Sequence, residues 1–132
     1  MKTLALALLA TASLHAADPI DTFIEEQQPS LIQLYEHLHA HPELSFHEEK
    51  TSARMTQEIR AAGFEVTEKV GGWGVVAVLK NGPGRTVLVR TDLDGLPVRE
   101  IGSVPYVSKT ITKDDAGNDV SVMHACGHDM HM

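Results

Sequence analysis

Cysteine occurs once in these 132 residues, at Cys126. A lone thiol excludes an intramolecular disulfide framework. In an oxidising compartment it is also a liability unless it is buried, metal-bound or catalytic. An excess of basic charge is lacking too, because 11 Lys and Arg stand against 18 Asp and Glu, a formal charge of -7. A phosphate-binding surface needs the opposite balance, so nucleic-acid binding is excluded as a function class. The apolar, small-residue stretch 4–14 is too short to span a bilayer as a stable helix. No internal repeat, low-complexity tract or interdomain linker is visible. What remains is ordinary globular material, 42% apolar and 22% charged, enough for one modest domain with a folded core.

Residues 1–17 read as a secretory signal peptide. Met1-Lys2 is a short positive start, 4–14 is the apolar segment, and Ala16 and Ala17 offer small residues for cleavage. The mature protein is therefore expected to be exported, periplasmic or secreted. The final residue, Met132, follows directly on a cluster of potential ligands rather than a turn or polar tail. The expectation is that residues 18–132 form an incomplete domain, truncated at its C-terminus.

Along the mature chain, Asp18 and Pro19 suit a helix start. Apolar residues at helical spacing continue through Leu38, with Pro29 restarting or kinking the helix and Pro42 ending it. Ser45 with Glu48 reads as a capping box opening a second helix, which Gly63 stops. From Phe64 the period becomes extended. Residues 75–79 and 86–89 are continuous apolar runs, expected as strands covered on both faces. Two weaker strands are expected near 104–111 and 120–123, joined by a polar turn at 114–118. Helices followed by such strands predict an α/β sandwich.

The densest chemical signal is His124, Cys126, His128 and His131, with Asp129 among them. Read as an extended segment, i and i+2 point the same way, so Cys126 and His128 can face one ion. Thiolate and imidazole are ligands that Zn²⁺ prefers. Gly127 permits an unusual backbone angle, and Asp129 could fix the tautomer of a ligand imidazole. Three readings of Cys126 stay open at this point: inert buried thiol, nucleophile paired with a histidine, or metal ligand. His124 is a reserve ligand, and His131 a solvated residue of a helix starting near His128. The second signal is residues 90–97, where Asp92 and Asp94 share one side of the chain at a strand's carboxyl end, the usual place for ligands in α/β sheets. On the residues alone, ordinary turn chemistry is the favoured account of them. The third is His37, His39 and His41; His37 and His41 lie one helical turn apart, without the acidic partner of a HExxH pair. A solvated or capping role fits them.

The three signals occur together, in order, in one family. Leu38-His39-Ala40-His41-Pro42-Glu43-Leu44-Ser45-Phe46, with Glu48, resembles the LHxxPELSFxE opening of the hippurate hydrolase and N-acyl-amino-acid amidohydrolase group. Residues 90–97 resemble that group's RxDxDxLP stretch, usually with Ala where this chain has Gly95, and 124–129 match its HACGHD signature. The group is part of the dinuclear-metal family that includes glutamate carboxypeptidase. The resemblance implies the N-terminal part of a zinc-peptidase-like α/β sandwich catalytic domain. It implies two divalent metal ions, Zn or Mn, in the full-length protein, with Cys126 and His128 as the first two ligands. Asp92 falls where related peptidases keep an aspartate that orients a ligand histidine, and is the candidate catalytic residue. Arg90 stands where those relatives have that histidine. A glutamate pair, two later histidines and a smaller lid domain are implied outside these residues.

The implied activity is metal-dependent hydrolysis of amide bonds in N-acyl amino acids or small peptide-like substrates by the full-length protein, the fragment itself being inactive. A small N-acyl amino acid or peptide is the expected partner, with no nucleic acid, no membrane after signal cleavage, and a homodimer left open. Two other classes compete: a thiol hydrolase using Cys126 with a histidine, which would survive chelators, and a non-catalytic metal-binding fragment.

Overall fold

The computed structural model describes residues 18–132, so the signal-peptide reading of 1–17 lies outside the described residues. Helix α1 (Pro19–Ala40) starts as its sequence requires: the Asp18 carboxylate accepts from the Ile20 N–H at 2.8 Å, and Pro19 occupies the first turn. It runs through Pro29 without a break. Its end is closed by His41, whose backbone N–H donates to the Leu38 carbonyl and whose ring Nδ1 donates to the His37 carbonyl at 2.7 Å. His41 thus has the capping role expected of this pair. Of the α1 side chains only Leu38 is buried, while Ile20, Phe23, Ile24 and Leu31 lie exposed.

Helix α2 (Glu49–Ala61) does not use the expected capping box. Phe46 adopts φ +66°, turning the chain between Ser45 and the helix and removing Ser45 from the cap position. Glu43 does the work instead. Its two carboxylate oxygens accept from the N–H groups of Lys50 at 3.1 Å and Thr51 at 2.7 Å, and from the Thr51 hydroxyl at 2.8 Å. Gly63, at φ +89°, ends the helix as its position predicts.

Strands β1 (Glu65–Val70) and β2 (Gly74–Val78) pair antiparallel, with Val66 opposite Ala77 and an irregularity between Thr67 and Val70. Val66, Val75 and Ala77 are half-buried on the side of α2, whereas Val76 and Val78 are exposed. The run 75–79 is therefore covered on one face, not two. Residues 86–89, expected as a second buried strand, form none, and Val87, Leu88 and Val89 are each more than 80% exposed, at 82%, 88% and 86%. A strand needs a hydrogen-bonded neighbour, and among the described residues none lies beside this one. The weaker pair is shorter than expected and its first strand is displaced, residues 104–110 forming none: β3 (Ile111–Lys113) and β4 (Asp119–Ser121) flank the turn in which Asp114 accepts from the N–H groups of Ala116 and Asn118. A short helix α3 (His128–His131) follows, starting where the histidine spacing placed it.

These elements meet at Gly95. Its N–H donates to the Glu43 carbonyl at 2.7 Å, and Leu44 and Gly95 form a parallel bridge. Leu96 forms an antiparallel bridge with Met123, giving bonds of 2.8 and 3.1 Å. A Cβ at residue 95 would lie 2.9 Å from Pro42 Cβ and 2.9 Å from Val122 Cγ1, so glycine is required by closeness rather than by φ. Leu38, Leu44, Met55 and Val122 form the buried apolar core. Among the described residues no helix is long and apolar enough to cross a membrane.

Two stability predictions follow from this packing. Glu43→Ala should cost about 1 kcal/mol in urea unfolding, as loss of a helix cap does, while Ser45→Ala should stay within about 0.5 kcal/mol. Gly95→Ala should cost about 1–3 kcal/mol, because Pro42 and Val122 must both move to admit the methyl group.

Candidate metal centre

The stretch 124–128 is not the extended segment that its i, i+2 spacing suggested. Gly127 sits at φ +71°, ψ 28°, and the chain turns there into α3. Cys126 precedes that turn with an exposed thiol. His128, the first residue of α3, is anchored from residues 90–97: its Nδ1 lies 2.8 Å from the Asp94 carbonyl oxygen and 2.9 Å from Asp94 Oδ1. Both partners are acceptors, so Nδ1 carries the proton. In the tautomer so selected Nε2 is the bare nitrogen, the form in which imidazole ligates a metal.

Asp92 stands on the Nε2 side of His128, its Oδ2 3.9 Å away. The Arg90 guanidinium holds Asp92 as a fork, with Nη1 2.9 Å from Oδ2 and the second nitrogen on Oδ1. His131 joins the same end through its Nδ1, 2.5 Å from the Thr91 hydroxyl, with its ring 5.2 Å from that of His128. The first and second sequence signals are thus brought together.

Asp129 does not take up the ligand imidazole. Successive residues of a helix are turned by about 100°, so Asp129 points away from His128. It is buried and meets His39 of α1, Oδ2 to Nδ1 at 2.6 Å. The other nitrogen of His39 lies 3.0 Å from Glu100 Oε1, and the second oxygen of Glu100 accepts from the Ser108 N–H at 2.6 Å. The rings of Tyr35 and Tyr106 pack against His39 at 5.6 and 5.3 Å. Burial works to lower the His39 pKa, but the hydrogen bonds and charges of Glu100 and Asp129 outweigh it and hold the ring above its ordinary value. Burial likewise works to raise Glu100, yet His39 and the Ser108 N–H pull its carboxyl below the usual range.

His124 is buried, and neither ring nitrogen has a partner among the described residues. Burial lowers its pKa, opposed by the charge of Asp129. Among the described residues, no three His, Cys, Asp or Glu side chains converge as a metal site. A thiol and an imidazole with bare Nε2 are donor types that suit a borderline divalent ion, and two donors are fewer than the four such an ion takes.

No family model matches the chain. Among curated proteins, it is 36% identical over 115 residues to an N-acyl-L-amino acid amidohydrolase of Geobacillus stearothermophilus, covering 86% of this chain and 29% of that protein. It is 41% identical over 95 residues to a hippurate hydrolase of Campylobacter jejuni, covering 71% of this chain and 22% of the relative. Among solved structures it is similar to the Bacillus subtilis YXEP protein, a dinuclear metal binding peptidase of the M20 family, with a TM-score of 0.67 and 31% identity, covering 81% of this chain and 28% of that one. The chain belongs to this M20 family of peptidases and amidohydrolases. It spans about a quarter of the length of the curated relatives it matches, for example 22% and 29% of the two above.

Within this M20 segment, sequence reasoning missed three residues. Asp94, not Asp129, fixes the His128 ring; it had been paired with Asp92 only by facing direction. His39 lay between the two histidines whose spacing drew attention, and its partner Asp129 is 90 residues away, a separation no local pattern carries. Glu100 gave no signal.

The sign of the pH dependence follows from the two shifts. His39 is raised on folding, so its contribution is complete below its unfolded pKa of about 6.5 and is lost as pH rises through the folded value. Glu100 is lowered, so its contribution is present above the ordinary carboxylate range and is lost on acidification through the folded value. Urea titrations from about pH 5 to 9 should show wild-type stability falling on the alkaline side of about pH 6.5. In His39→Gln that fall should be reduced; an unchanged alkaline slope would refute the assignment.

Proposed function

We propose that the full-length protein carrying this segment is a metal-dependent amidohydrolase acting on N-acyl amino acids or small peptide-like amides, with Cys126 and His128 as two ligands of a dinuclear centre. The observation that carries this is the His128 ring: Asp94 holds its Nδ1–H and leaves Nε2 bare, two residues after an exposed thiol. The names of the relatives, an N-acyl-L-amino acid amidohydrolase and a hippurate hydrolase, support the substrate class. We further propose export of the mature protein, on the three-part pattern of residues 1–17.

When bound, two divalent ions, Zn²⁺ or Mn²⁺, supply Lewis acidity toward the scissile carbonyl and an acidified water. The chain's own residues prepare that chemistry. Cys126 offers a thiolate, which donates more charge than a carboxylate and softens the site. Asp94 fixes the tautomer and direction of His128. Asp92, neutralised by the Arg90 fork, lines the Nε2 side of His128 without adding an uncompensated negative charge. Among the described residues no hydrogen bond joins Cys126 to an imidazole, so the pairing that a thiol nucleophile needs receives no support.

In the full-length protein, dialysis against a chelator should abolish hydrolysis of N-acyl amino acids, and Zn²⁺ or Mn²⁺ should restore it. Cys126→Asp keeps a metal ligand but no thiol; it should retain measurable, chelator-sensitive turnover, whereas Cys126→Ala should lose it. Activity that survives chelation and disappears in Cys126→Asp would establish the thiol mechanism instead. The 132-residue chain alone should show no turnover with either metal.

A further inference from the structure

His39 is the one described side chain that bridges two buried carboxylates from distant parts of the chain. Asp129 lies 90 residues after it and Glu100 61 residues after it, and the side chains of Asp129 and Glu100 are 2% and 10% exposed. Its own side chain is 14% exposed, enclosed by Tyr35 and Tyr106. Ionised carboxylate oxygens only accept, so both ring nitrogens of His39 donate. Charge-assisted bonds of this kind are short and directional. Asp129 is also the residue next to His128 in α3, a helix of four residues with no side-chain cap of its own. Such a short helix has little intrinsic rigidity. What fixes it is Asp129 on one side and, on the other, the Asp94 contact of His128 and the Thr91 contact of His131.

We propose that His39 is the positioning residue of the metal centre: by donating to Asp129 and Glu100 at once it locks α3 against the last turn of α1, and so fixes the direction of the His128 ring. The proposal rests on the reading of Cys126 and His128 as ligands. His39 touches neither of them in any recorded bond; it acts through Asp129. The two arms of the bridge are unequal in this respect, because only the Nδ1 arm reaches α3, while the Nε2 arm holds the loop carrying Glu100.

That inequality sets the test. In the full-length protein, Co²⁺ is titrated while the thiolate-to-cobalt charge-transfer band is followed, giving a metal affinity that does not depend on turnover. His39→Leu should weaken Co²⁺ binding by about 10- to 100-fold, the usual effect of removing a group that orients a ligand. Asparagine places its amide nitrogen where Nδ1 stood and glutamine where Nε2 stood. His39→Asn should therefore bind Co²⁺ within a few-fold of wild type, and His39→Gln should resemble His39→Leu. Leu38→Ala, the adjacent core truncation, should lower thermal stability and leave the affinity unchanged. Wild-type affinity in His39→Leu would overturn the proposal, as would equal losses in the Asn, Gln and Leu38→Ala variants, which would mean that affinity merely follows stability. If the wild-type protein gives no thiolate band, the ligand reading itself falls and this proposal with it.

Discussion

The Gly95 N–H reaches the Glu43 carbonyl at 2.7 Å while Leu96, the next residue, exchanges two hydrogen bonds with Met123. Two consecutive residues thereby join three separate stretches of chain: the end of the α1–α2 connection, the 90–97 segment and the approach to α3. Each stretch carries part of the candidate centre. His39 arrives with the first, Asp92 and Asp94 with the second, and Cys126, His128 and Asp129 with the third. The crossing is so close that a Cβ at residue 95 would come within 2.9 Å of both Pro42 Cβ and Val122 Cγ1. Pro42 and Val122 in this chain must therefore be packed for glycine. The backbone bonds at this point set the frame that every side-chain contact around His128 relies on.

Within that frame the acidic residues are allotted to different tasks by what faces them. Asp94 meets His128, Asp92 meets Arg90, and Asp129 with Glu100 meets His39. Burying carboxylates this close together would be costly if they were unpaired. The Arg90 fork and the His39 bridge offset that cost on either side of His128. His124 fits this picture as a neutral imidazole, its protonated form disfavoured by burial.

What could be read in the sequence divides by range. Asp18, Pro19, Gly63 and the start of α3 at His128 are local signals acting over one helical turn, and each appears where expected. Ser45 and Glu48 matched a local pattern too, but Phe46 at φ +66° rerouted the backbone and passed the cap to Glu43, seven residues before the first amide it holds. The extended reading of 124–128 failed for a similar reason: Gly127 permitted a left-handed turn, and one such residue destroys an i, i+2 argument. Pairings across tens of residues, such as His39 with Asp129 or His128 with Asp94, follow only from the crossing at Gly95. No periodicity encodes them. The family motifs named the right segments without naming these bonds.

Apolar runs report the surroundings that a sequence is matched to, and that explains the remaining disagreement. Residues 86–89 and one face of β2 have the composition of doubly covered strands, yet they are exposed among the described residues, as is the stripe of Ile20, Phe23, Ile24 and Leu31 on α1. Exposed strand edges and apolar stripes of this extent are sites of association. The chain matches about a quarter of the length of its relatives, for example 22% and 29% of two of them. The polar cluster around His128 is different, because its bonds all run between segments inside residues 37–131. The frame around His128 is thus closed by bonds between segments distant in the sequence even where the apolar surfaces around it are not covered, and the orientation of His128 depends on those few bonds.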